Sequence, residues 1–224
     1  IRAQERDDLH QALGTRAQAA GHAARPRALE HADEFPADII ETRSTAHVYG
    51  KPLVAAEALT SSQPQWTSTP WSLKWVVDKY MAMGVNRLVI HTSPHQPDDT
   101  HKPGLTLGPF GQVFTRHETW AEMAKPWIDY LTRSSYLLQQ GNAVADVLYF
   151  YGEGAPSGVP YRDAGGARDL PGHGFDYVNA DALSRLARVE NGQIVFPGGM
   201  RYRLLVLPEG EDRMTLPMIT KLRD

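Results

Sequence analysis

The chain of 224 residues contains no cysteine. Disulfide bonds and cysteine-ligated metal sites are therefore excluded, although this absence does not fix the cellular compartment. No stretch approaches the roughly 18 consecutive apolar residues of a membrane-spanning helix, so we expect no membrane segment. The formal net charge is −3, and lysine and arginine are spread along the chain rather than gathered in a basic stripe. Nucleic acid is therefore not an expected partner.

Several catalytic motifs are also missing. The sequence has no GxSxG nucleophile elbow, no phosphate-binding P-loop and no GxGxxG dinucleotide fingerprint. Serine hydrolysis, phosphoryl transfer and hydride transfer therefore have no support. The first residues include neither an initiator methionine nor an apolar signal core, and the last residues follow a helical pattern. We expect the chain to be part of a longer polypeptide.

The most informative stretch covers residues 51–60, KPLVAAEALT. A short apolar run bounded by turn residues predicts a buried parallel strand, which here ends at Glu57. In barrel enzymes, side chains at the C-terminal end of such a strand face the active site. The Glu57 carboxylate is therefore a candidate general acid, base or nucleophile. The alternative is a glutamate that merely begins a loop.

Strand and helix patterns alternate in the first part of the chain. A short predicted helix over 44–50, closed by Gly50, precedes the strand ending at Glu57. That strand is followed by a predicted helix over 71–83, a strand over 86–91 and a long helix over 120–140. Such a βαβ alternation is typical of a parallel α/β sheet or barrel. An irregular stretch over 100–118 separates the second strand from the long helix, and loops of this length are mobile or functional.

The character of the sequence changes after Gly141, and we place a domain boundary near residue 143. The predicted elements beyond it are a strand over 146–151, a helix over 181–189 with Asn179 as its N-cap, a hairpin turn at Asn191 and Gly192, a strand over 202–208 and a helix from Thr215. This order favours a second, smaller α/β unit.

Polar residues stand at the ends of the predicted strands: His22, Glu57, His91 and His95. Three histidines and a glutamate are possible zinc ligands. However, Pro94 interrupts the helical spacing of the last two histidines, and the HExxH signature is absent. We therefore disfavour zinc, and each histidine is equally compatible with a hydrogen-bonded loop or core position.

Tryptophans flank the loops of the predicted active face, at positions 66, 71, 120 and 127. Sugar C–H faces stack on such rings, while neighbouring polar side chains bind the hydroxyls. A helix-core role is the better interpretation for Trp75 and Trp127. A carboxylate, sugar-compatible aromatics and a barrel-like alternation together favour glycoside hydrolysis. That reaction needs two carboxyl groups, which lie roughly 6.5–9.5 Å apart in an inverting enzyme.

Several runs of the sequence together resemble the α-L-rhamnosidases of glycoside hydrolase family 106. The runs are 46–58 (AHVYGKPLVAAEA), 83–92 (MGVNRLVIHT), 95–97 (HQP), 108–111 (GPFG), 114–120 (FTRHETW), 130–133 (YLTR), 137–141 (LLQQG), 146–147 (DV) and 198–208 (GGMRYRLLVLP). They cover most of residues 44–224. The resemblance implies an α/β fold in which residues 1–143 form the C-terminal part of a (β/α)8 barrel. Residues 144–224 then begin a smaller accessory α/β domain.

The resemblance also implies inverting hydrolysis of terminal α-L-rhamnosides, with a calcium ion that helps to hold the sugar hydroxyls. Glu57 matches the family's catalytic base, which deprotonates the attacking water. The family's general acid lies in an upstream segment for which this sequence has no counterpart. We therefore expect the remainder of the same polypeptide to supply the acid, and the chain alone to be inactive. The implied partner is a rhamnose-containing oligosaccharide or glycoside.

The other site assignments are looser. The expected substrate-binding residues are His22, His91, His95, Arg116 and Trp120. Glu34 is a candidate metal ligand and Glu41 a second one, although either is equally compatible with a solvated surface acid. Asn86, at the start of its strand, is expected to support the scaffold. Two other functions stay open: a non-catalytic carbohydrate-binding or scaffold module, and another barrel glycosidase such as a β-galactosidase-like enzyme.

Overall fold

Helices and parallel strands alternate along the chain in a mixed α/β fold, as the sequence predicts. The computed structural model describes residues 36–60, 64–108, 113–154, 172–208, 210 and 213–223. The elements are α1 Pro36–Val48, β1 Ala55–Ala58, α2 Pro70–Ala82, β2 Arg87–Ile90, α3 Lys125–Leu138, β3 Val147–Phe150, β4 Phe175–Val178, α4 Ala180–Arg185, β5 Arg188–Glu190, β6 Gln193–Val195, β7 Arg201–Tyr202, β8 Leu204–Val206 and α5 Leu216–Arg223. Among the described residues, no helix is both long and apolar enough to cross a bilayer.

Strands β1 and β2 pair in parallel, and helix α2 connects them. The helix begins at a capping box, in which the Thr69 hydroxyl accepts the Ser72 backbone N–H and the Ser72 hydroxyl accepts the Thr69 backbone N–H. Pro70 occupies the first turn, where its missing N–H costs no hydrogen bond. The predicted βαβ unit is therefore confirmed.

The two faces of the β1–β2 pair differ. Side chains of Ala58, Leu88 and Ile90 pack into a cluster with helices α2 and α3. The residues that alternate with these along the strands, which include Glu57 and Val89, are exposed on the opposite face. The expectation of a fully buried strand is therefore correct for one face only, because no described element covers the other.

The predicted helix over 120–140 is shorter than expected. Residues Ala121–Met123 form a 3-10 turn, and α3 begins at Lys125 with Pro126 in its first turn. Proline has no backbone N–H and fixes its own φ, so it favours the start of a helix over its interior. Pro126 therefore sets the N-terminus of α3.

A second parallel sheet has the strand order β4–β3–β8. All four residues of β3 are buried: Leu148 and Phe150 belong to the larger core of the chain, and Val147 and Tyr149 to the cluster on the other face of the sheet. Asn179 caps α4 as predicted, because its Oδ1 accepts the Ala182 N–H at 2.8 Å. The predicted helix over 181–189 is wrong at its end. Arg188–Glu190 instead pairs with Gln193–Val195 across the predicted turn at Asn191 and Gly192.

Helix α1 packs against both sheets. Ile39 and Ala46 contact Val54 and Val85 beneath the β1–β2 pair, while Ile40 contacts the β3–β4 side. The sequence predicted only residues 44–50 of this helix, with Gly50 closing it; Gly50 follows the helix with φ +67. The contacts of α1 run across the boundary expected near residue 143, which stays a prediction.

Candidate functional site

Glu57 is the third of the four residues of β1, and it lies on the face that the helices leave open. Val89 stands beside it in register and is 49% exposed. In a (β/α)8 barrel the helices surround the strands, so the strand face away from the helices lines the interior. Catalytic residues of barrels lie at the C-terminal strand ends, which is the position of Glu57.

His91 follows β2 directly and extends the pairing, because its backbone N–H donates to the Ala58 carbonyl at 3.0 Å. Its Nδ1 is buried and has no hydrogen-bond partner among the described residues. A buried polar atom without a partner costs about 1–3 kcal/mol. Such atoms are uncommon and mark places where a ligand or water completes the bonding. His91 therefore has bonding capacity left at the strand end beside Glu57.

The loop that follows β2 is organised by buried polar side chains. Gln96 brackets Leu105, since its Oε1 accepts the Leu105 N–H at 2.9 Å and its Nε2 donates to the Leu105 carbonyl at 2.6 Å. His117 is 1% exposed at its side chain and contacts the Asp99 carboxylate at 2.9 Å. A Cβ at Gly104 would collide with Gln96 and lie 2.7 Å from His117 Nδ1. Only glycine fits this crossing.

Arg116 takes part in the same network. Its Nε donates to Asp99 Oδ1 at 2.7 Å, and its Nη2 donates to the Gln96 carbonyl at 3.0 Å. Hydrogen bonds from His117 and Arg116 hold the pKa of Asp99 below its ordinary value. Arg116 therefore shapes the loop, and a contact of its guanidinium with substrate stays a prediction. His95 is exposed and has no hydrogen-bond partner within the described residues.

Trp120 is 9% exposed, so its ring belongs to the core beneath the loop. Its Nε1 donates to the Ser68 carbonyl at 3.1 Å, and Phe114 packs edge-on at a centroid distance of 5.5 Å. This burial does not support direct stacking of a sugar on Trp120. Trp71, in the first turn of α2, is by contrast 85% exposed. The core role expected for Trp127 is confirmed by its burial.

The predicted metal ligands are Glu34 and Glu41, and His22 is a predicted substrate-binding residue. His22 and Glu34 lie outside the described residues. Glu41 is exposed on α1 and lies near Tyr151, which follows β3. The pKa of Tyr151 is raised mainly by its burial and further by the negative charge of Glu41. The described part of the chain contains no group of three His, Asp or Glu side chains placed to hold a metal ion. The calcium ion implied by the resemblance therefore stays a prediction.

Asn86 supports the scaffold as predicted. Its Oδ1 accepts the Val54 N–H at 2.8 Å, and its Nδ2 donates to the Pro52 carbonyl at 2.9 Å. These bonds fix the start of β1 against the start of β2. A cleft of about 460 Å³ lies at this end, lined in part by Asn86 and Lys51. Because this cleft lies at the opposite strand ends from Glu57, we do not assign it to the candidate site.

A buried carboxylate joins α1 to the second sheet, and no motif in the sequence predicted it. Asp176 on β4 is fully buried. Its oxygens contact Arg43 Nε at 3.3 Å, Ser44 Oγ at 3.2 Å, His47 Nδ1 at 2.8 Å and the Tyr202 hydroxyl at 2.9 Å. Burial, and then the adjacent Asp176, raise the pKa of the Tyr202 hydroxyl far above its ordinary value. Residues 129 or more positions apart make most of these contacts, so no spacing motif reveals them.

A comparison with known protein families supports the interpretation of the motif runs. A family model for the α-L-rhamnosidases, glycoside hydrolase family 106, matches residues 13–224. The chain belongs to glycoside hydrolase family 106. The resemblance inferred from the motif runs is thereby confirmed.

Two relatives are much longer than this family 106 chain. A solved rhamnosidase structure from Novosphingobium sp. PP1Y is 45% identical with a TM-score of 0.74, over 84% of this chain and 18% of that one. A protein of Formosa agariphila, provisionally named a beta-glucuronidase, is 39% identical over 168 residues, which are 75% of this chain and 14% of the relative. The chain thus spans less than a fifth of either relative. Their names also differ in the sugar.

Proposed function

We propose that this chain is the segment of an inverting α-L-rhamnosidase that carries the general base, Glu57. The observation that carries the proposal is the position of Glu57, near the C-terminal end of a parallel strand and on the face away from the packed helices. Membership in family 106 supports the reaction class. The substrate is then a glycoside or oligosaccharide with a terminal α-L-rhamnosyl residue.

In the proposed reaction, the Glu57 carboxylate accepts a proton from a water molecule as the water oxygen attacks the anomeric carbon. A carboxylic acid on the opposite side of the sugar protonates the glycosidic oxygen, and the bond to the aglycone breaks. Attack opposite to the leaving group inverts the anomeric configuration, so the first product is the β-anomer. The general acid belongs to the remainder of the polypeptide, and the chain alone is inactive.

The architecture follows from the same proposal. The β1–β2 pair, with α2 and α3 on its outer face, supplies two neighbouring strands of a (β/α)8 barrel. Residues 1–143 belong to this barrel, and residues 144–224 begin an accessory α/β domain. The rest of the polypeptide closes the barrel over the face that carries Glu57.

Sugar hydroxyls are bound by residues around the strand ends. His91, which follows β2 directly and is partly exposed, is one proposed contact. His95 is exposed on the adjoining loop, and Arg116 holds that loop in shape. Trp120 packs beneath it, and His22 lies beyond the described residues. For the proposed calcium ion, Glu34, which lies outside the described residues, is the first candidate ligand and Glu41 the second.

The deciding experiment is Glu57→Gln in the full-length enzyme, assayed on an aryl α-L-rhamnoside. Loss of a general base lowers turnover by about 10²–10⁴-fold. Glu190→Gln is the matched control, because Glu190 is an exposed glutamate on the distant β5 strand, and it should keep full activity. NMR of the first-formed sugar should show the β-anomer. Near wild-type turnover of Glu57→Gln would overturn the assignment.

A second candidate function, hydrolysis of a β-D-glucuronide, is favoured by the name of the Formosa agariphila relative. Aryl α-L-rhamnoside, β-D-glucuronide and β-D-galactoside, compared on the intact enzyme, separate these candidates by kcat/KM. We expect the rhamnoside to be preferred. Sugar binding without turnover on any of them, unaffected by Glu57→Gln, would instead indicate a non-catalytic carbohydrate-binding module.

A further inference from the structure

The open face of the β1–β2 pair carries a cation as well as Glu57. In the parallel register Ala55 stands opposite Arg87, and Glu57 stands opposite Val89. Side chains alternate between the two faces of a strand, so these four residues share one face. All four are exposed, whereas the intervening residues pack toward the helices. Arg87 therefore lies one side-chain layer below Glu57 on the neighbouring strand.

The distance between the two positions suits an ion pair. Diagonal neighbours on adjacent strands lie about 7–8 Å apart, which long side chains span. The residue beside Arg87 on β1 is Ala55, whose methyl group leaves the path toward Glu57 clear. Within the described residues, the side chains of Arg87 and Glu57 have no hydrogen bond or ion pair that occupies them elsewhere.

Within the described part of the chain, the other elements that pack against β1 bring no competing charge to this face. Helices α1, α2 and α3 pack against the opposite face, and their charged side chains lie behind the sheet. Strand β2 contributes Arg87, and His91 follows at the end of the strand. Arg87 is therefore the cation that shares the sheet face of Glu57.

Closure of a barrel over this face would remove water from Glu57 and Arg87 and so raise the free-energy cost of keeping each side chain charged. Barrel interiors are filled by side chains and hold little water. An unpaired charge in such a place is expensive, whereas a paired and hydrogen-bonded charge is tolerated. Desolvation favours the neutral form of a carboxyl group, but a general base must be ionised to accept a proton from water. A neighbouring cation opposes the desolvation.

We propose that Arg87 is a positioning residue for the general base, whose guanidinium pairs with Glu57 from below in the closed barrel. The pair keeps Glu57 ionised between turnovers and aims its free oxygen at the attacking water. Arg87 exchanges no proton and does not touch the sugar. This inference rests on the proposed function of Glu57 and names a residue that holds it in its reactive state.

The test uses Arg87→Met in the full-length enzyme, with kcat/KM for an aryl α-L-rhamnoside measured across the pH range. The rate falls at acid pH when the base becomes protonated. Removal of a cation within about 4–6 Å raises a carboxyl pKa by about one to three units. The acidic limb should therefore move up by that amount, while the basic limb, which reports the general acid, stays in place.

Two further variants make the result specific. Arg87→Lys keeps the charge and should keep the acidic limb near its wild-type position, while Arg87→Gln should move it as Arg87→Met does. Arg188→Met, which removes an exposed arginine from the remote strand β5, should leave the profile unchanged. If Arg87→Met fails to fold, the comparison of the Lys and Gln variants carries the same test.

The outcomes separate the two proposals. If Glu57→Gln is inactive but the Arg87→Met and Arg87→Gln profiles coincide with wild type, the role of Arg87 is wrong and that of Glu57 stands. An equal shift in the Lys and Gln variants also contradicts charge pairing. If Glu57→Gln keeps its activity, the proposed function fails, whatever the Arg87 variants do.

Discussion

The backbone of Gly50 rests directly on the backbone of Gly198. A Cβ built on Gly50 would lie 2.9 Å from Gly198 Cα, and a Cβ built on Gly198 would come closer still to Gly50 Cα. Gly50 belongs to the turn between α1 and β1, and Gly198 precedes β7. The contact therefore fixes the segment that leads, seven residues later, to Glu57.

Gly198→Ala should destabilise the protein, because the new methyl group has no room against Gly50. Overpacking of this kind costs about 1–3 kcal/mol. Urea unfolding followed by tryptophan fluorescence measures the loss. Gly154→Ala is the matched control, since a Cβ at Gly154 meets nothing within 4 Å and should change stability little. Equal stability of the two variants would show that the backbones can separate at no cost.

Asp176→Ala should be more damaging. The substitution leaves Arg43 and His47 without their buried carboxylate partner, and removal of one partner from a buried ion pair costs about 3–5 kcal/mol. Faster hydrogen exchange in α1 and β4 should accompany the loss of stability. Asp181→Ala breaks exposed contacts only, with Arg185 and with the Tyr49 hydroxyl, and should cost far less stability than Asp176→Ala. Similar losses in both variants would contradict the bridging role of Asp176.

Trp120→Phe separates packing from sugar binding. The variant loses the hydrogen bond to the Ser68 carbonyl but keeps an aromatic ring. We expect stability to fall by about 1 kcal/mol, the net value of such a bond. KM for an aryl α-L-rhamnoside should stay within about twofold, because a buried ring contributes little to a sugar surface. A large increase in KM with unchanged stability would instead indicate that Trp120 contacts the substrate.

Local signals in the sequence predicted the elements they govern. The Asn191–Gly192 turn has φ values of 50° and 73°, which is the left-handed geometry that this dipeptide favours. The Asn179 cap depends on one side chain and its own helix, so its residue type was sufficient to find it. The position of Glu57 near its strand end followed equally from a short apolar run.

Features that depend on residues far apart in the sequence were not predicted. Val189 is a local exception: it continues a helical pattern, but the adjacent Asn191–Gly192 turn pairs it with Ile194 in a strand. Helix α1 starts at Pro36, earlier than predicted. Its apolar residues face two sheets, so the sequence shows no single apolar stripe that would indicate a helix. Arg87 was overlooked although strand alternation places it on the face of Glu57. Strand position alone indicates a shared face, but not which face the helices leave open.

The hydroxyl of Ser44 stands where a neighbouring strand would supply a carbonyl. It accepts the backbone N–H of Tyr177 at 3.0 Å, and Arg43 Nη2 donates to the Phe175 carbonyl at 2.7 Å. Helix α1 thereby occupies the hydrogen-bonding edge of β4, which protects it from pairing with another chain. The second sheet can consequently be extended only beside β8, so any strand that enlarges it must be added on the side away from α1.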